Sequence, residues 1–123
     1  MVAHPEDVSE KYLKGQQCFV VCLTEGYNPK KEKEFFAAIG EGGNRGLILK
    51  YPDKVHGELS GWAKDKKDII KDLDTIVNYK QWEEILTHNP DEEKQDIQHQ
   101  MTCELVTEAC SDKYQKNQLY YFD

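Results

Sequence analysis

The apolar positions of this chain fall into short runs broken by glycine and proline. Cys18-Phe19-Val20-Val21-Cys22-Leu23 is continuous and rich in β-formers. A run of that kind predicts a strand over 17–24 buried on both faces, with a helical segment as the alternative. Leu47-Ile48-Leu49-Lys50-Tyr51, stopped by Pro52, predicts a second strand over 46–51. Between them, Asn28 and Pro29 supply the cap and first position of a helix that turns Phe35, Phe36 and Ile39 inward and ends at Gly40. Strand, helix and strand within about 35 residues is the span of a minimal right-handed parallel crossover.

The rest of the pattern has a helical period. Pro5 to Lys14 reads as a short helix stopped by Gly15, with Val8, Tyr12 and Leu13 inside. From Leu59 to Val77 the apolar residues recur every three or four positions, which predicts one helix with Ser60 as its cap. Asn78 ends that helix and caps another, with Gln81 at the capping-box position and Tyr79, Trp82, Ile85 and Leu86 as its stripe. Asn89-Pro90-Asp91-Glu92-Glu93 opens a helix expected to run to Lys113. The tail Leu119-Tyr120-Tyr121-Phe122 is a last strand, over 118–122, or a packed aromatic end. The expected fold is one helix-rich α/β or α+β domain over 1–123, with a small sheet and about five helices; all-α is the alternative.

Composition narrows the function classes. The 123 residues carry a formal charge of −7, and Arg45 is the only arginine. Such a balance disfavours a general nucleic-acid or anionic-membrane binder. No apolar run approaches the length of a membrane span. The start lacks a basic region followed by an apolar one. The chain therefore reads as cytoplasmic if Met1 is the native start, or secreted if Met1 precedes a mature chain.

The four cysteines form the most informative constellation. Cys103 and Cys110 lie on nearly one helix face, about 10.5 Å apart along the axis. On a strand, Cys18 and Cys22 share a face about 13 Å apart. The two spacings nearly match, so the early strand is expected to lie along the last long helix. Three readings follow: buried thiols acting as small hydrophobes, one or two disulfides, or a zinc site from Cys18, Cys22, Cys103 and His99. The zinc reading lacks a Cys-x2-Cys knuckle, and no metal or other cofactor is expected.

Other motifs carry less. The glycine-rich loop 40–46 lacks the Lys-Ser/Thr of a phosphate loop and precedes a strand, so it reads as a connector with Arg45 as a partner contact. Ser60 misses the nucleophile-elbow spacing. A Cys103–His99 pair would need an electropositive setting, which Asp96 and Glu104 oppose. His56 and His88 read as solvated loop or helix-end residues. Lys64, Lys67 and Lys71 interleave with Asp65, Asp68 and Asp72 as a solvent face. No catalytic set emerges.

Lys14 to Leu23, with its Cys-x3-Cys pair, resembles the third helix of insect odorant-binding proteins. Cys110-Ser111-Asp112-Lys113-Tyr114 is similar to that family's final cysteine helix. The first and fourth cysteines of the family pattern have no counterpart, and the last spacing is shorter. The resemblance implies a secreted all-helical carrier of a small apolar ligand. Phe35, Phe36, Trp62, Trp82 and Met101 would then line its cavity. The leading expectation is a non-enzymatic binding or inhibitory module that engages a protein partner through its acidic surface. A cysteine-dependent enzyme is the remaining alternative.

Overall fold

The computed structural model describes residues 1–8, 13, 17–90, 96–111 and 113–122. The chain divides into two compact units, Val2–Asp53 and Lys54–Asp123 with Met1.

In the first unit β1 (Phe19–Thr24), α1 (Pro29–Gly40) and β2 (Arg45–Tyr51) form the expected crossover. The strands pair in parallel, with Phe19 opposite Arg45 and Val21 opposite Leu47. The other edge of β1 is also occupied. Val2 N–H donates to Val21 O at 2.8 Å, and Leu23 N–H donates to Val2 O at 3.0 Å. Paired on both edges and covered on both faces, β1 is buried from Val20 to Thr24, which is why its sequence is continuously apolar. Asn28 caps α1 by accepting from the Lys30 and Lys31 N–H groups. Phe35 and Ile39, four residues apart, form the buried face of α1. Phe36 lies about 100° round the helix and is 43% exposed, so it is not the inward residue expected; its ring meets Phe35 edge-on at 5.3 Å.

The expected helix from Pro5 begins as a 3-10 turn, Pro5–Asp7, and Val8 is extended. Residues 9–12 and 14 lie outside the described residues.

The second unit departs further from the local pattern. The helix expected from Leu59 starts only at α2 (Lys66–Val77). Before it, β3 (Lys54–Val55) and β4 (Glu58–Leu59) form an antiparallel hairpin. His56 and Gly57, with φ of 53° and 83°, supply the two left-handed residues such a tight turn needs. Ser60 does not cap α2: its Oγ accepts from Trp62 N–H at 3.0 Å, in a turn that leaves Trp62 fully buried at φ 58°. Ile69, Leu73 and Val77 are the buried stripe of α2.

The helix expected after Asn78 is absent. Trp82 donates its indole N–H to Ile76 O at 3.0 Å, folding the chain back over the end of α2. Ile85–His88 is instead a strand, β5, paired in parallel with β6 (Leu119–Phe122). Asn89 N–H donates to Phe122 O and extends that ladder, and residues 91–95 of the helix expected from Asn89 lie outside the described residues. The long helix is α3 (Ile97–Ala109), capped by Asp96, whose Oδ1 accepts from His99 N–H at 2.8 Å. It packs against α2 and β5. Cys110 closes it, short of the expected Lys113, and a brief α4 (Lys113–Gln118) leads into β6. The described residues thus form three two-stranded sheets with helices between, a mixed α/β fold that overturns the all-α alternative.

Two glycines hold the crossover closed. A Cβ on Gly26 would sit 2.6 Å from Leu49 O, and one on Gly46 would collide with Val20 O and press Ile39 Cδ1 at 2.9 Å. Gly40 has open space. Gly26→Ala and Gly46→Ala are each expected to lose about 1–3 kcal/mol in urea unfolding. Gly40→Ala is expected to leave stability unchanged or raise it by about 0.5 kcal/mol.

Candidate functional site

Parallel pairing brings the carboxyl ends of β1 and β2 to the same end of the first unit, the end at which open α/β sheets usually bind ligands. An acidic residue follows each strand: Glu25 directly after β1, and Asp53 two residues after β2. His4, buried, stands between carboxylates: Nδ1 is 3.3 Å from Asp7 Oδ2 and Nε2 is 3.4 Å from Asp53 Oδ1. The His4 backbone N–H donates to the same Asp7 oxygen at 2.9 Å, which fixes the turn presenting the ring.

Glu25 carries two local costs. Its φ of 72° lies in the left-handed region, where a side chain with a Cβ is strained. Its carboxyl is also pushed above the usual range, chiefly by burial and then by the negative charge of Asp53, with Lys31 partly offsetting both. Its Oε2 is shielded from solvent and has no hydrogen-bond partner among the described residues. Tyr27 stands at the rim, its phenol pushed up by burial and by Glu25 and Asp53. The neighbouring Cys22 thiol donates to Thr24 O at 3.4 Å, and burial pushes its pKa up to about 12. This end of the sheet therefore offers an imidazole and carboxylates, but no thiolate nucleophile.

The second unit holds another polar cluster. His88, read from sequence as solvated, is buried at 2% exposure as the last residue of β5. Its ring stacks on His99 of α3 with centroids 4.1 Å apart and planes 10° apart. Phe122 of β6 meets His88 edge-on at 5.0 Å. Asp96 Oδ2 lies 3.9 Å from His99 Nε2.

The residues singled out from sequence are distributed differently. All four cysteines are free, so the disulfide expectation is corrected. Cys18 is half-buried and Cys22 buried in the first unit; Cys103 and Cys110 are buried in the second. Burial pushes Cys110 up to about 11. The expected register between the two pairs joins residues of different units. Of the expected cavity residues, Phe35 and Phe36 belong to the first unit and Trp62, Trp82 and Met101 to the second. Trp82 is committed to Ile76 O, with Lys80 Nζ 4.8 Å above its ring. His56 is exposed at the hairpin tip, as expected. Arg45 is exposed at the head of β2, opposite the partly exposed Phe19. The glycine loop is a connector: Asn44 turns back to accept from Cys18 N–H at 2.7 Å.

His4, Asp7, Glu25, Asp53 and His88 were missed as site residues. For Glu25 and Asp53 a signal existed, an acid just beyond each strand of a parallel pair. The positions of His4 and His88 depend on pairings distant in sequence.

The thiols give a direct check. Under denaturing conditions dithionitrobenzoate is expected to titrate all four cysteines. In the native protein Cys18 should react first, and Cys22 and Cys110 should be slower by about a hundredfold or more, as expected of thiols raised by burial. Fewer than four thiols after denaturation would show a disulfide. No protein-family model, no curated protein and no solved structure matches the chain.

Proposed function

We propose that the chain is a non-enzymatic binding module that engages a basic group of a protein partner at the acidic end of the β1–β2 pair. One observation supports the reading above others: Glu25 stays a carboxylic acid in left-handed backbone, half-buried beside a second carboxyl. Asparagine or glycine would fit that backbone with less strain, and glutamine would spare the charge. Residues that destabilise their own fold in this way concentrate at functional sites. A lysine or arginine side chain reaching Glu25 and Asp53 would add to the charge of Lys31, which only partly offsets the cost of the two carboxyls. The His4 ring already faces Asp7 and Asp53, so a visiting cation is expected to engage Glu25 first. The net charge of −7 favours approach of a basic surface from a distance. No reacting set accompanies these groups, and Cys22 is held as a thiol, which weighs against the cysteine-enzyme reading. The all-helical carrier falls with the all-α fold.

Two measurements test the proposal. The first is association with lysine-rich and arginine-rich peptides of about ten residues across ionic strength. Binding is expected to weaken steeply with salt, and Glu25→Gln with Asp53→Asn to weaken it about tenfold. Salt-insensitive binding, or equal binding by the double variant, would remove the reading. The second is stability against pH. Because the folded carboxyl of Glu25 is raised above its ordinary value of 4.5, the folded state holds its proton more tightly than the unfolded state. Its contribution to stability is full below that ordinary value and is lost as pH rises through the raised one. Glu25→Gln should therefore match the parent near about pH 4 and melt roughly 2 °C higher near neutrality. An unchanged or lower melting temperature at neutral pH would contradict the strained carboxyl.

A further inference from the structure

We propose that His88 and His99 form a transition-metal site of the zinc, nickel and copper class. Two secondary-structure elements converge to make it: His88 ends β5, and His99 lies in the first turn of α3. The rings stack at 4.1 Å with planes 10° apart, and donor nitrogens of the two come within 4.8 Å of each other. Two imidazoles bound to one tetrahedral ion need nitrogens about 3.3 Å apart, given bonds of about 2.0–2.1 Å. Closing that difference requires the parallel stack to open so that both in-plane lone pairs converge on the ion, with His99, the less buried ring, turning more.

The chemistry of the pair points the same way. Each imidazole offers an in-plane nitrogen lone pair, and histidine on two converging elements is a common transition-metal ligand set. Imidazole nitrogen selects borderline metals over magnesium or calcium, which prefer oxygen. Asp96 positions His99 through the helix cap, by a hydrogen bond to its backbone. Its Oδ2 lies 3.9 Å from His99 Nε2, and its other oxygen is held by the His99 backbone N–H at 2.8 Å. Phe122 against the edge of His88 limits that ring's motion. Two protein nitrogens leave the remaining coordination positions to water or to an incoming ligand.

The full chain is titrated with zinc chloride alone by calorimetry, with magnesium chloride as the oxygen-preferring control. One zinc per chain and no magnesium binding are expected. His99→Gln and His88→Ala should each weaken zinc at least tenfold, and Asp96→Asn by a smaller factor. His88 is buried, so His99→Gln is the deciding variant, with its fold checked by circular dichroism. Nitrogen-15 spectra of the parent protein give a second readout that needs no variant: zinc should shift the ring nitrogens of His88 and His99 together. Absence of zinc binding, unchanged affinity in folded His99→Gln, or ring nitrogens that do not respond would each overturn the proposal.

Discussion

The first unit depends on parallel hydrogen bonding to β1. Val2 occupies one edge of that strand and β2 the other, and both run in the same direction as β1. This arrangement sets two requirements at once. The central strand must be apolar on both faces, which the run from Val20 to Leu23 satisfies. The close approach of strand and turn also excludes side chains at Gly46 and Gly26, where backbone oxygens of Val20 and Leu49 occupy the space. Parallel direction then places Glu25 and Asp53 at a common end, with His4 brought there by the segment beside β1. The acidic cluster is a product of chain direction; no local motif encodes it.

Most of that unit was legible. Asn28-Pro29 marks a helix start through chemistry internal to the helix, and Pro52 marks a strand end in the same way. The second unit was less so, because its decisive contacts are remote. Tyr79, Trp82, Ile85 and Leu86 mimic a helical stripe, yet Ile85–His88 gains more by pairing with Leu119–Phe122, more than thirty residues onward. Asn89 carries the local mark of a helix cap, yet its own N–H is drawn into that ladder by Phe122. The hairpin at His56-Gly57 was masked by apolar Leu59, which fits a helical period as well as a strand. Histidine at φ 53° also gives little local warning of a left-handed turn.

Both polar clusters arise where an element ends. His4 precedes a 3-10 turn, Glu25 and Asp53 follow strands, His88 closes β5, and Asp96 and His99 begin α3. At element ends free backbone groups can still orient ionisable side chains, as the contacts of Asp7 and Asp96 show. Of the four free cysteines, Cys22, Cys103 and Cys110 are buried, and burial pushes Cys22 and Cys110 up.

The short segment Val2–Ala3 has a protective consequence. It covers the backbone along one side of Val20-Val21-Cys22-Leu23, a stretch that is uncharged, β-prone and free of proline. Such a stretch with a bare margin is a template for cross-chain stacking into fibrils. Two residues at the start of the fold thus act as a molecular sheath, and their detachment would turn the most cohesive strand of the unit into its chief aggregation hazard.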